Sequence, residues 1–314
     1  MTSLKQVALS LDIGGSKLVT GLVDIEGNVL CKEKTEWTTL SRESLITTIL
    51  DAASRILKGN KDINATCIGV NIPGLADTER GIWVEACFSG IKNIPIADIL
   101  NSQFGLPVYI DNDVNNCALA EKIFGICQDC TDFIWLTVSN GCGGAIFIDN
   151  CIYRGVRNTA GELGHITVEE KDGILCGCGN TGCLEAQAAG PGIIRRYLDA
   201  GGQSELNGVK VSAKDIADIA MSGDAPARYV FSMEGYYLGK ALAAAINTLN
   251  PQKVVIGGGV SEAFDLFYPE LIKTVDKMTY REASKHIVIE KTGLGYDAAL
   301  IGATSLAFTR LKLM

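Results

Sequence analysis

The 314-residue chain contains no apolar run that approaches the roughly 20 residues needed to cross a bilayer. Its apolar stretch Val7 to Leu11 is too short for the core of a secretory signal and runs straight into Asp12. Low-complexity tracts are absent, and with 47% hydrophobic and 20% charged residues the composition is that of an ordinary globular protein. Positive charge is in deficit: 28 Lys and Arg stand against 36 Asp and Glu, a net charge of -8. That balance argues against a nucleic-acid surface and gives no signal for a membrane surface. It does not exclude a phosphorylated ligand, because glycine loops and helix ends bind phosphate in acidic proteins. No disulfide framework can be read either. The eleven cysteines, an odd number, lack a scaffold spacing, which points to a reducing, cytoplasmic setting.

Histidine is nearly absent, with two in the chain, and one of them sits in the most information-rich stretch. Gly161-Glu162-Leu163-Gly164-His165 is followed by Cys176-Gly177-Cys178-Gly179-Asn180-Thr181-Gly182-Cys183-Leu184-Glu185. Three thiolates and an imidazole make a closed tetrahedral zinc set, and the intervening glycines allow a tight loop. Cys-x-Cys is closer than the usual zinc-finger spacing, so three small buried residues in a turn is the competing reading; His165 favours the metal. Glu162 and Glu185 are not needed by an ion. They are either solvated surface charges or groups held out toward a polar ligand. His286 stands alone as a structural residue, and Cys127-x-x-Cys130 lacks the context of a redox pair.

Read in order, Val7 to Asp12 forms a strand, Ile13-Gly14-Gly15-Ser16-Lys17 a glycine-rich turn, Leu18 to Val23 a second strand and Val29 onward a third. Ser41 opens a helix with apolar residues at Leu45, Ile49, Ala52, Ala53 and Ile56. Thr66 to Asn71 is a strand ending at the sharp turn Ile72-Pro73-Gly74. Val108 to Ile110 runs into Asp111-Asn112-Asp113, and a helix from about Val114 to Phe124 is closed by Gly125. The opening then recurs: strand Phe133 to Val138, turn Ser139-Asn140-Gly141-Cys142-Gly143-Gly144, strand Ala145 to Ile148, strand Cys151 to Tyr153. This repeat predicts two α/β lobes whose glycine turns face each other across a cleft. Further on, Ser212 caps a helix toward Met221, Tyr236 to Leu249 is an Ala-rich helix stopped by Asn250-Pro251, and strand Lys253 to Ile256 enters Gly257-Gly258-Gly259.

The glycine turns sit where strands end, so backbone N–H groups can converge on an anion; Ser16 adds a hydroxyl, Lys17 a charge, and Asp12 is placed to hold Mg2+. One such turn alone is more often a plain hairpin. Two repeated turns and a third at a strand end favour a nucleotide. Asp113 is the candidate base, opening a helix whose dipole keeps a carboxylate ionised. Its competing reading is an N-cap, but two Asp and an Asn exceed what one cap requires.

These segments resemble the ROK family (repressors, open reading frames, sugar kinases) of the actin-like ATPase superfamily. Asp12-Ile-Gly-Gly-Ser-Lys17 is similar to its first phosphate motif, Asp-x-Gly-Gly-Thr-Lys. Asn112-Asp113 resembles its Asn-Asp-x-Asn motif, with Asn115 in the last place and Asn116 one position late. Gly161 to His165 and Cys176 to Glu185 match its two signature segments. The resemblance implies an α/β, two-lobed actin-like ATPase (ribonuclease H-like) fold of duplicated β-meander/helix units around a central cleft. Residues 1–112 would form the smaller lobe, completed by the C-terminal helix at about 298–314, and residues 113–297 the larger lobe with the zinc loop. It implies an ATP-dependent, Mg2+-requiring kinase of glucose or another hexose, or of an N-acetylhexosamine (ManNAc or GlcNAc) or fructose. Asp113 would be the base, and Gly74, Asn112, Asp113, Glu162, His165 and Glu185 would contact the sugar. Asp12, Gly14, Gly15, Ser16, Lys17, Asn140, Gly141, Gly143, Gly258 and Gly259 would serve the nucleotide. His165, Cys176, Cys178 and Cys183 would hold a structural zinc, and a homodimer is expected. Two segments depart from the family: Ser139-Asn140-Gly141 replaces Gly-Thr-Gly, and Ala86-Cys87-Phe88 with Gly90-Ile91 replaces Pro-Asn-Leu before Gly-Trp. The family's sugar-responsive repressors carry an N-terminal helix-turn-helix domain, for which a phosphate motif beginning at residue 12 is expected to leave no room.

Overall fold

A computed structural model describes residues 6–86, 88–206 and 208–314. Cys87, part of the segment that departs from the family pattern, therefore lies outside the described residues. The chain opens on the expected meander, with β1 (Val7–Ile13), β2 (Lys17–Asp24) and β3 (Val29–Glu36) antiparallel. Helix α1 (Arg42–Gly59) follows. The Ser41 side chain accepts from the Ser44 N–H at 3.2 Å, and Leu45, Ile49, Ala52, Ala53 and Ile56 form its buried stripe. Next come β4 (Ala65–Ile72), a small antiparallel sheet of β5 (Leu75–Asp77), β6 (Ile82–Ala86) and β7 (Ile91–Ile94), then α2 (Ile96–Phe104), β8 (Val108–Asn112) and α3 (Asp113–Ile123).

The meander then repeats as β9 (Phe133–Val138), β10 (Cys142–Ile148) and β11 (Cys151–Ile152). After an irregular loop come α4 (Leu184–Ala188), α5 (Gly190–Asp199), a hairpin of β12 (Glu205–Leu206) and β13 (Val209–Lys210), α6 (Ala213–Met221) and α7 (Ala225–Leu249). Strand β14 (Lys253–Gly257), α8 (Phe264–Met278), α9 (Arg281–Ser284), β15 (Val288–Lys291) and α10 (Ala298–Arg310) complete the chain. The two main sheets have matching orders, β3-β2-β1-β4-β8 and β11-β10-β9-β14-β15. In each, an antiparallel meander lies on one side of the first strand and two parallel strands on the other. The duplication read from the glycine turns is therefore a duplication of sheet topology, and the fold is the actin-like ATPase α/β fold.

Two compact units divide the chain. One gathers residues up to Asp129 with Arg154–Thr159 and Gly293–Met314; the other holds Cys130–Tyr153 and Ala160–Thr292. The sequence reading drew the boundary after Asn112, whereas α3 belongs with the first unit because α10 packs on it as well as on β1 and β4. Gly69 permits that approach: a Cβ there would collide with the carbonyl oxygen of Ala303 on α10. The first core joins Leu9, Leu11, Leu22 and Val70 of the sheet to Ile49 and Ala53 of α1 and to Trp83. The second joins Ile134, Leu136, Val254 and Ile256 to the buried faces of α7 and α8.

Two helix limits differ from expectation. Helix α7 starts eleven residues before Tyr236, because Asp224 caps it through the Ala227 N–H (2.8 Å) and Pro226 is tolerated in the first turn, where no intrahelical N–H is lost. Gly125 does not end α3 in a left-handed conformation. It lies against the Glu121 carboxylate, where any Cβ would clash. Among the described residues no helix is long and apolar enough to cross a membrane.

Candidate active site

In the first unit, β1 ends at Asp12 and Ile13 and turns through Gly14 to Ser16 into β2. The Gly14 N–H donates to the Lys17 carbonyl (2.9 Å), and Trp37 Nε1 donates to the Gly14 carbonyl (2.8 Å), so the turn is held from both ends. Gly15, Ser16 and Lys17 are exposed, which leaves backbone, a hydroxyl and an ammonium available to an anion. Phe88 flanks this turn. A Cβ on Gly15 would lie 3.4 Å from that of Phe88, whose ring sits 6.4 Å from Trp37 and 5.9 Å from Trp83. Asp12 is only partly covered, and burial raises its pKa while the Asn71 hydrogen bond and the Lys17 charge draw it back.

At the end of β8 the capping duty falls on Asn112 and not on Asp113. Asn112 Oδ1 accepts from the Val114 N–H (2.9 Å), and its Nδ2 donates to the Gly74 carbonyl (3.0 Å). Gly74 and Asn112, both expected on the acceptor side, are thus joined directly. Asp113 is the first residue of α3, half-buried, with Oδ1 3.0 Å from the Val114 nitrogen. Asp111 is buried in a salt bridge with Arg154 and also accepts from the Asn112 N–H (2.8 Å) and Asn115 Nδ2 (3.1 Å). Asn115 therefore braces Asp111, while the buried Asn116 donates to Asn71 Oδ1 at 2.7 Å. Arg154 and Asn71 were not singled out in the sequence, since no local pattern ties either to its partner. Replacing Arg154 with Met strands the buried Asp111 charge. An urea unfolding curve is expected to show a loss of about 3–5 kcal/mol.

In the second unit, the Ser139 N–H donates to the Gly141 carbonyl (2.9 Å), closing a turn with Asn140 exposed at its tip. Gly258 stands at φ 85°, and a Cβ on it would strike the Val138 carbonyl; one on Gly259 would lie 3.7 Å from Ser139 Oγ. Gly258 and Gly259 thus gather with Ser139, Asn140 and Gly141 beyond the ends of β9 and β14. Gly143 lies within β10, paired with Thr137, whose Oγ1 is 2.8 Å from the Cβ position of Gly258.

The two glutamates differ. Glu185 lies in the first turn of α4, accepts from the Cys142 N–H through Oε2 (3.1 Å), and has Oε1 3.6 Å from Cys176 Sγ. Without the bare Gly141, whose Cβ position is 2.7 Å from Oε2, that placement would be blocked. Glu185 therefore links the second glycine turn to the cysteine loop. Glu162 has a side chain 60% exposed, with Oε2 3.8 Å from His165 Nε2. A cavity of about 260 Å³ on this unit is lined by Asn140, Cys176, Gly177, Glu185 and Arg195.

His165 Nδ1 lies 3.8 Å from Cys176 Sγ, Cys178 Sγ lies 3.6 Å from Cys183 Sγ, and all four ligand atoms fall within 4.8 Å of one another. A tetrahedral zinc with bonds of about 2.0–2.3 Å needs ligand atoms about 3.5–3.8 Å apart, so these residues fit the ion. Burial holds the Cys176 thiol up and pushes Cys183 up to about 12, whereas the Asn180 N–H draws Cys178 down. Zinc binding must displace the protons that burial retains. A closed set leaves no ligand position for a substrate, so the ion would act as scaffold, with His165 Nε2 turned toward Glu162.

The ROK family profile matches residues 8–310. The chain is 33% identical over 306 residues to the glucokinase of Halalkalibacterium halodurans, covering 94% of this chain and 92% of that one. It is 31% identical over 304 residues to the DNA-binding transcriptional dual regulator NagC of Escherichia coli, covering 95% of this chain and 74% of the regulator. Among solved structures, the ROK family glucokinase from Streptomyces griseus in complex with glucose and AMPPNP aligns with a TM-score of 0.84 and 30% identity, covering 96% of this chain and 99% of that one.

Proposed function

This chain belongs to the ROK family and is a phosphotransferase of its sugar-kinase kind; we propose that it transfers the γ-phosphoryl group of ATP to a hydroxyl of a hexose, with Asp113 as the base. The observation that carries this reading is the placement at the start of α3: Asn112 holds the cap position and is joined to Gly74, and Asp113 follows it, half-buried, as the first residue of the helix. At that position the helix dipole favours the carboxylate. Phosphoryl transfer asks mainly that the acceptor oxygen be aimed and relieved of its proton, which one ionised carboxylate provides.

The remaining residues divide by chemistry. Lys17 and Ser16, with the backbone of Gly14 and Gly15, would neutralise and orient phosphate oxygens. Asp12 would hold Mg2+ or its waters; the ion, when bound, offsets charge on the transferring group. Asn140, Gly141, Gly258 and Gly259 would receive the nucleotide on a surface without obstructing side chains. Gly74, Asn112, Glu162, His165 and Glu185 would hydrogen-bond the sugar, and His165, Cys176, Cys178 and Cys183 would hold zinc so that Nε2 of His165 and the Glu185 carboxylate stay in register.

Kinetics settle the substrate. A coupled ADP-release assay across glucose, fructose, N-acetylmannosamine and N-acetylglucosamine is expected to show turnover with at least one sugar, and mass spectrometry to show its phosphate ester. Sugar binding without ADP release from any of the four would favour a non-catalytic, sugar-responsive regulator; the Escherichia coli relative is a DNA-binding transcriptional dual regulator.

A further inference from the structure

We propose that Asn71 is a positioning residue that aims the Asp12 carboxylate and couples it to the helix that begins at Asp113. The inference deepens the kinase reading, since it assigns work to Asn71 only if Asp12 serves the phosphoryl donor. Asn71 is fully buried near the end of β4, in direct parallel register with Asp12 on β1. Its Nδ2 donates to Asp12 Oδ1 (3.3 Å) and to the Ala299 carbonyl at the start of α10 (2.7 Å). Its Oδ1 accepts from Asn116 Nδ2 on α3 (2.7 Å). One amide therefore bonds three elements, β1, α10 and α3. Of the short side chains, only an asparagine carries two donors and an acceptor on one rigid plane.

The duplicated topology shows that the sheet itself does not require this amide. In the second unit Thr137 on β9 stands in register with Gly257 on β14, as Asp12 does with Asn71. The same architecture is built there with a glycine at the equivalent of Asn71. A buried polar relay present in one copy and absent from the other marks a demand of the site, beyond the demand of the fold. Lys17 on β2 lies beside Asp12, and the Cys117 thiol on α3 is buried near Asp12, Asp113 and Glu121. Helix α10 offers a backbone carbonyl, and β4 offers Asn71 itself.

The test uses Asn71→Leu, with Asn116→Ala as a gentler variant that removes only the support of Asn71 Oδ1. In Asn71→Leu, kcat is expected to fall about tenfold to a hundredfold with the KM for sugar little changed. In an Asp12→Asn background the same change should cost almost nothing further, because its target is gone. Calorimetry of MgATP binding reads the link without any turnover: the dissociation constant should rise about tenfold in Asn71→Leu and by less in Asn116→Ala, so the second variant decides if the first does not fold. An unchanged MgATP dissociation constant, or a loss of rate that persists undiminished in the Asp12→Asn background, overturns the inference. A wild type that transfers no phosphoryl group, with the loss of MgATP affinity present, overturns the kinase reading and leaves the link between Asn71 and Asp12 standing.

Discussion

Asp113→Asn is expected to lower kcat by about a thousandfold while the sugar dissociation constant stays within about threefold, because general bases contribute roughly 100- to 10,000-fold. The substitution is nearly isosteric, and the structure predicts that it leaves α3 undisturbed. The cap belongs to Asn112, whose bonds to the Val114 N–H and the Gly74 carbonyl do not involve residue 113. The amide oxygen of an asparagine can still accept the Val114 N–H that Asp113 Oδ1 accepts at 3.0 Å. What the substitution removes is the negative charge and with it the capacity to take a proton. Had Asp113 been the cap, lost activity could be blamed on a frayed helix; with Asn112 in that role the two effects separate. Steady-state kinetics with titration calorimetry on the same preparation supplies both numbers. Turnover within tenfold of wild type would rule Asp113 out as the base, and a parallel collapse of sugar affinity would place it among binding groups instead.

The legible parts of this protein are those set by local chemistry. The five-residue stripe of α1 follows from its period, and the Ser212 capping box from four adjacent residues. The glycine turns after Asp12 and Val138 are visible because a strand, two or three small residues and another strand form a short-range pattern. From their recurrence the matched sheet orders followed. What stayed hidden depends on distant partners. Arg154 meets Asp111, and Asn71 meets Asp12, Asn116 and Ala299, through the packing of α3 and α10 on the sheet. Nothing in the immediate sequence around Asn71 announces a relay. Capping offers an intermediate case: Asp111-Asn112-Asp113 declared a helix start, but which of three suitable side chains would cap depended on where β8 releases the chain. Glu162 and Glu185 look equivalent beside the cysteines, yet Glu185 reaches the Cys142 N–H of β10, because it sits in the first turn of a helix that packs there, and Glu162 is left largely exposed.

Removal of the zinc proposed for His165, Cys176, Cys178 and Cys183 should have the largest effect of any single treatment. Structural zinc contributes about 10–16 kcal/mol of apparent binding free energy in small zinc-dependent folds, more than the loop's own few backbone bonds, such as the Val168 N–H to the Gly182 carbonyl (2.8 Å) and the Gly182 N–H to the Ile174 carbonyl (2.9 Å), supply. Between His165 and Cys183 its regular pairing consists of the isolated bridges Thr167 to Cys183 and Leu175 to Thr181, and Leu175 is 71% exposed. The surrounding unit is different: Leu184, immediately after the last cysteine, is fully buried in a core shared with α7 and α8. Chelation is therefore expected to melt the loop and spare the sheet. His165 loses the partner of its Nδ1, and Glu185 keeps the Cys142 N–H but loses the ordered thiol beside Oε1. Sugar affinity should drop about a hundredfold, the upper end for residues that orient a site. Nucleotide affinity should change less, since Ser139 to Gly141 and Gly258 are held by β9 and β14 and not by the ion. Cys178→Ser should reproduce the loss, whereas Cys31→Ser, outside the cluster, should not. Metal analysis and calorimetry on native, stripped and zinc-restored protein decide the matter. Equal sugar affinity in stripped and native protein would mean that the four ligands hold an ion on which the sugar site does not depend, and the role of zinc as the scaffold of that site would have to be given up.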